Sequence, residues 1–573
     1  MLCRKLLLLT VVISQFIPQA HAGKKGKTYK RGDFIHKREL GPGKGHPSKI
    51  PVFWRTVCKA PEGKGLALDG LVQGKADPRP HTRILVDGTW KNIYPELRVK
   101  NPLQKYCDRA AKLVRDLRRA RARVRHIWFK GLDEKAERER LNREAVPPFE
   151  EFLKAFDALL AEVKSVQGPD EYESGQLTYA LKHLNAAREL LKTGENIREG
   201  ILRAQSINSM QQAQVRIERA AEALDAEPAP RVLSTPAYDE KTGLYVLFGG
   251  DHFDYIKNDT WVFDPEQKKW FQKHPEGTPE PRGKHSMNAP GDGTVLLSGG
   301  YFYPGRKGRY RRCSSTVWTY DIEKNTWTGP KNEKPWKPDV RKYHGAGEQP
   351  ASFLKGKKPN AAENEKRLAE LPINTWVNMK PPRKRAGKRD WGTMAYDPEN
   401  DLIVDWNGGH SCYCSTDAPH YHLGTNRWEL PYPAEIPLGM VGASARAVSG
   451  YSFNGNHWIT NHTWDHYCYA PQLKRILVAG SMSNWQWKFD PYSYIYNPVL
   501  GEWESRFRKT GGLEKVFPAQ LSAQPTPHGT LLYSGRGNWW QLDAKAMKWM
   551  KFAKLSSKQW PKNACSDWYC MTY

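Results

Sequence analysis

Beyond residue 22 no stretch stays apolar for the length that a membrane crossing needs, so an integral membrane protein is not expected. Acidic residues are scarce: 61 Asp and Glu stand against 89 Lys and Arg, a formal charge of +28. An imbalance of that size points to an anionic partner. The usual zinc spacing is also missing. Cys412-x-Cys414 with His410 nearby is too tight for it, and no metal site is read there. Copper and zinc stay open as cofactors, and the sequence requires neither.

What is present begins with a leader. Residues 1–22 carry Arg4-Lys5, an apolar core from Leu6 to Ile17, and Ala20-His21-Ala22 before Gly23, the pattern of a cleaved secretory signal. The mature chain is therefore expected to be secreted or periplasmic. Of nine cysteines, removal of the leader takes away Cys3 and leaves an even number, compatible with disulfides in an oxidising compartment. Cys565 with Cys570 and Cys58 with Cys107 are candidate pairs, and the pairing itself stays open. Export turns the basic balance away from nucleic acid and toward anionic polysaccharide or another cell-surface polymer.

Residues 23–50 are rich in Gly, Lys and Arg without an apolar period, which predicts a basic disordered arm. Residues 51–99 are mixed, with short strands expected at 83–86 and 90–93. Residues 100–226 change character to Ala, Leu, Glu, Lys and Arg with apolar residues at three- and four-residue spacing, as in Phe152, Phe156, Leu159 and Leu160. Breaks at Gly131, Pro147-Pro148 and Gly168-Pro169 divide them into a helical hairpin or bundle. Arg118-Arg119-Ala120-Arg121-Ala122-Arg123-Val124-Arg125 is either an anion-binding stripe or the solvated face of one helix. Glu227-Pro228-Ala229-Pro230 reads as a linker.

From residue 232 to 573 a set of signals recurs. Val246-Leu247-Phe248-Gly249-Gly250 leads to Trp261-Val262-Phe263-Asp264 and Trp270. Leu296-Leu297-Ser298-Gly299-Gly300 leads to Trp318-Thr319-Tyr320-Asp321 and Trp327. Residues 389–430 hold a third copy closing at Trp428. Ile476-Leu477-Val478-Ala479-Gly480 leads to Tyr494-Ile495-Tyr496-Asn497 and Trp503, and a weaker copy ends at Trp549. Residues 341–376 fit poorly, being charged from 355 to 370 without the glycine pair. The last residues repeat the Asp-Trp, Met and Tyr of Asp390-Trp391, Met394 and Tyr396 at Asp567-Trp568, Met571 and Tyr573, so the chain stops where another copy would start.

Strand, small-residue pair, aromatic-Asp strand and Trp at a spacing of roughly 50 residues resemble the kelch repeat and the propeller of the galactose-oxidase type. The resemblance implies an all-β propeller of six or seven blades, either closed by the last strand or incomplete at the carboxyl terminus, preceded by the α-helical region. It is specific for fold and weak for function.

Two segments carry more titratable and aromatic groups than strand packing asks for. One holds His410, Tyr413, Asp417, His420 and His422; the other holds His462, Trp464, His466 and Tyr467. His410, Tyr413, His462, His466 and Tyr467 are the candidate catalytic set, with Arg446, Asp417 and Trp464 as candidate ligand-binding residues. His285 and His344 open two repeats in Arg-x-x-His patterns, which either form part of a ring near the axis or, as the resemblance to kelch repeats implies, hydrogen-bond a neighbouring repeat. Three functions fit: a protein binding carbohydrate, above all anionic polysaccharide, or an extracellular protein partner; a polysaccharide lyase, in which His and Tyr remove the proton beside a uronate; and the copper radical oxidase that the resemblance implies. Binding explains the residues with the fewest geometric demands.

Overall fold

The structure is a computed structural model. It describes residues 34–36, 54–59, 63–69, 82–168, 171–195, 203–229, 231, 234, 236–251, 256–283, 285–302, 311–312, 317–330, 357–382, 394–406, 418–432, 466–480, 492–516, 521–534 and 537–554.

An amino-terminal antiparallel sheet comes first, with β1 (Phe34–His36), β2 (Trp54–Lys59), β3 (Gly65–Asp69), β4 (Thr82–Val86) and β5 (Thr89–Asn92) in chain order. Phe34–His36 lies inside the segment expected to be a disordered arm. It pairs with Trp54, Arg55 and Thr56 of β2.

Six helices follow: α1 (Tyr94–Lys100), α2 (Gln104–Phe129), α3 (Glu134–Glu144), α4 (Val146–Ser165), α5 (Glu171–Glu195) and α6 (Arg203–Leu224). In α2, Leu113, Leu117, Ala120, Val124 and Ile127 return every three or four residues and are buried, which is the stripe a helix needs to face a core. Asp133 accepts from the Ala136 backbone N–H at 2.9 Å and so caps the start of α3. Pro in the first turn of α4 removes a donor that would have no helical partner. α2, α4, α5 and α6 share one core. Each fully buried Leu or Phe there contributes roughly 1.5–3 kcal/mol.

Among the described residues five four-stranded antiparallel sheets follow, each a simple meander. Sheet I is β6 (Ala237–Tyr238), β7 (Tyr245–Asp251), β8 (Ile256–Asp264) and β9 (Lys269–Lys273). Sheet II is β10 (Ser286–Asn288), β11 (Thr294–Ser298), β14 (Trp318–Asp321) and β15 (Thr326–Thr328), with the ribbon β12 (Tyr301–Phe302) and β13 (Arg311–Arg312) between its second and third strands. A seventh helix, α7 (Ala361–Ala369), precedes sheet III: β16 (Ala395–Asp397), β17 (Leu402–Val404), β18 (His420–His422) and β19 (Arg427–Glu429). Sheet IV is β20 (Tyr467–Ala470), β21 (Arg475–Val478), β22 (Tyr492–Asn497) and β23 (Glu502–Arg508). Sheet V is β24 (Leu521–Thr526), β25 (Gly529–Ser534), β26 (Asn538–Asp543) and β27 (Lys548–Lys554).

The expected all-β, kelch-like propeller of six or seven blades is corrected by this arrangement. The sheets are separate, no closed ring is found among the described residues, and helices make up a large share of them. Recurrence in the sequence encodes the single sheet and leaves open what its apolar faces are buried against. Here sheet I shares a core with the amino-terminal sheet, through Cys58, Leu66 and Ile84 against Tyr245, Leu247 and Trp261. Sheet III contributes Leu430 and Trp428 to the helical core. Within residues 341–376, part of the charged stretch forms α7, capped by Asn360.

Two devices repeat. The residue two before the closing Trp has a positive φ in every sheet: Lys268 (50°), Asn325 (50°), Asn426 (52°), Gly501 (66°) and Met547 (51°). That left-handed residue turns the chain sharply from the third strand into the fourth. The closing Trp then reaches backward along the chain. Trp270 Nε1 donates to Thr82 Oγ1 of β4 at 2.9 Å, Trp327 Nε1 to Thr260 Oγ1 of sheet I at 3.0 Å, and Trp549 Nε1 to Ser493 Oγ of sheet IV at 3.0 Å. Trp503 Nε1 lies 3.4 Å from the Tyr432 hydroxyl just after sheet III. The amino-terminal sheet thus takes, toward sheet I, the place that sheet I takes toward sheet II.

Candidate functional site

Six residues singled out from the sequence, His410, Tyr413, Asp417, Arg446, His462 and Trp464, lie outside the described residues, as does His344. The other two are buried. His466 has no exposed surface and Tyr467 has 3%. The His466 carbonyl accepts from Ala479 N at 2.9 Å, and the Tyr467 ring lies 6.3 Å from that of Trp406. Both side chains are thus packed in the interior of sheet IV. His285 is also interior. Its Nδ1 is 3.2 Å from the Arg282 carbonyl, which itself accepts from Gly250 N of sheet I. The Arg-x-x-His segment therefore ties sheets I and II together.

His420 and His422 are brought together with a residue that sequence reasoning missed, Glu429. The two histidines are two apart on β18 and so share a face, and the strand register puts Glu429 of β19 directly opposite His420. His420 Nδ1 is 3.3 Å and His422 Nε2 2.9 Å from Glu429 Oε1. The Tyr496 hydroxyl of sheet IV is 2.8 Å from His420 Nε2. From α2, Arg125 Nε comes within 3.0 Å of Glu429 Oε2, while its Nη1 donates to the Pro431 carbonyl at 2.8 Å. The Phe129 ring stacks on His422, centroids 4.7 Å apart and planes 15° from parallel. None of these polar side chains is more than 3% exposed.

Burial alone would raise the Glu429 carboxyl, but the Arg125 guanidinium and the two imidazoles outweigh it and hold the group well below the carboxylate range. Burial lowers His420 to about 4, against the pull of Glu429, and lowers His422 as well. Near neutral pH the centre holds two uncharged imidazoles, a carboxylate and a guanidinium. An alternating pattern ending in a His-x-His strand, a tight turn and an acidic residue was the available signal for Glu429.

The arginine run of α2 does not form a free basic stripe. Arg118 and Arg119 reach Glu502 of sheet IV at 3.0 and 3.3 Å, Arg123 donates to the Glu144 carbonyl, and Arg121 is buried. Burial, then the neighbouring Arg125 and Arg118, pushes Arg121 down to about 9. Arg118, Arg119 and Arg125 hold the helix to sheets III and IV, and Arg123 holds it to the end of α3.

A different surface gathers aromatic and basic groups. On sheet V, Trp539 lies opposite Tyr533, their rings 4.8 Å apart, and the Phe552 ring is 6.4 Å from Trp539. A register shift after Trp539 leaves Phe552 without a cross-strand partner, the two-against-one arrangement of a bulge. Phe552 is 55% and Met550 41% exposed. Lys548, Lys551 and Lys554 are exposed on the same strand. Apolar faces edged by cations suit a ligand with apolar CH faces and anionic substituents.

Among the described residues no helix is long and apolar enough to cross a membrane. No protein-family model matches the chain, and no curated protein matches it significantly.

Proposed function

We propose that the protein is an exported binding protein for acidic polysaccharide, which lies along β27 at the edge of sheet V. The observation that supports this reading is the Trp539–Phe552 contact between β26 and β27, the latter a strand on which Lys548, Lys551 and Lys554 are also exposed. A pyranose ring offers a CH face to an aromatic ring, and a uronate or sulfate offers its charge to a lysine. The overall charge of +28 raises the local concentration of such a polymer.

Titration with polygalacturonate, alginate and heparin, and with a neutral glucan as control, tests the reading. Acidic polymers are expected to bind and the glucan to bind far more weakly, with affinity falling as salt rises. Phe552→Ala is expected to weaken binding about tenfold, which corresponds to about 1.4 kcal/mol. Equal affinity for the neutral glucan, or an unchanged affinity in Phe552→Ala and Trp539→Ala, would remove this surface as the binding site.

A further inference from the structure

We propose that His420, His422 and Glu429 form a three-ligand site for a zinc-type divalent metal ion at the junction of α2 with sheet III. The three side chains offer donor atoms that all lie within 4.8 Å of one another, and all three are buried. The separations of Glu429 Oε1 from His422 Nε2 and His420 Nδ1, 2.9 and 3.3 Å, match two ligands of one ion. Bonds of about 2.0–2.1 Å at tetrahedral angles set ligand atoms about 3.4 Å apart. Two imidazoles with one carboxylate select zinc, cobalt or iron over calcium and magnesium, which prefer all-oxygen shells.

The surroundings are those of ligands held in place. The Tyr496 hydroxyl on His420 Nε2 leaves Nδ1 as the coordinating atom and fixes the ring, and Phe129 fixes the plane of His422. Arg125 stands on Oε2 of Glu429, which leaves Oε1 for the ion. The ion would join β18 to β19 beneath α2, a structural role, since the ligands are closed off from solvent.

The test uses the full chain, freed of metal with a chelator, then titrated with Co(II) and separately with Zn(II). One equivalent of Co(II) is expected to give visible d–d absorption, and Zn(II) to displace it and raise the unfolding midpoint. His422→Ala is expected to abolish the band. Because that change could also unfold the chain, Tyr496→Phe serves as a second variant. It keeps the ring and is expected to weaken Co(II) affinity about 10-fold or more while the circular dichroism spectrum stays unchanged. Absence of stoichiometric binding would show the cluster to be a metal-free ion pair. A cobalt band that survives in folded His422→Ala, or unchanged affinity in Tyr496→Phe, would place the metal elsewhere. Each of these outcomes overturns the proposal.

Discussion

Gly501 shows how one position can differ from four that share its backbone. Lys268, Asn325, Asn426 and Met547 adopt the same left-handed conformation with side chains, so that conformation by itself does not demand glycine. At Gly501 an added Cβ would sit 2.6 Å from Pro431 Cβ and 3.0 Å from Arg125 Nη2. Gly501→Ala therefore combines a left-handed cost with a clash against the strand end that carries Glu429. It is expected to lower stability by roughly 2–4 kcal/mol. Lys268→Ala, at an equivalent turn with its side chain 41% exposed, is expected to change it by less than about 0.5 kcal/mol. Chemical denaturation of both variants checks the contrast; equal costs would refute the contact argument. The turn was legible in the sequence, because Asn325-Thr326-Trp327 and Asn426-Arg427-Trp428 carry a residue type that, after glycine, readily adopts positive φ. The need for glycine at 501 was not, since it comes from Pro431, seventy residues away in the chain.

At the scale of the element, α2 carries polar contacts to sheets III and IV and to helices α3 and α4. Its outward arginines look alike in sequence, and their surroundings separate them. Arg125 is 3% exposed against Glu429, whereas Arg119 is 56% exposed against Glu502. Arg125→Met would leave the Glu429 carboxylate enclosed without its cation and is expected to cost roughly 3–5 kcal/mol. Arg119→Ala is expected to cost less than about 1 kcal/mol, because water screens that pair. Thermal unfolding of the two variants decides it, and comparable losses would mean that the network is not what holds the helix. Sequence reasoning found the helix and its apolar face from period alone. It could not tell an anion-binding stripe from an anchoring one, because Glu429 and Glu502 stand on strands about three hundred and nearly four hundred residues later. The same limit explains the fold. Local order gave each four-stranded sheet, including Val246 to Trp270 and Ile476 to Trp503, while the packing of helices and sheets depends on contacts that no local repeat encodes.

For the whole molecule, buried histidines set a response to acid. His183 and His285 are both nearly inaccessible, 7% and 8% exposed. Burial first, then neighbouring arginines, pushes each down to about 3. Their unfolded counterparts titrate near 6.5. Between those values the unfolded chain binds protons that the folded chain refuses, so stability is full above about pH 6.5 and declines as pH falls toward 3. Each histidine contributes up to roughly 1.4 kcal/mol per pH unit in that window. Denaturation midpoints at pH 7 and pH 5 should therefore differ, with the lower value at pH 5. His285→Gln is expected to flatten part of the slope, and a midpoint equal at both pH values would refute the account.

The backward reach of the closing tryptophans also gives the molecule an order in time. Thr82 precedes Trp270, Thr260 precedes Trp327, Tyr432 precedes Trp503, and Ser493 precedes Trp549. A chain made from its amino end always finishes the acceptor before the donor. Sheets I, II, IV and V each emerge toward a partner already in place, and the amino-terminal sheet, with Thr82 at the start of its fourth strand, is the template on which that sequence of additions starts.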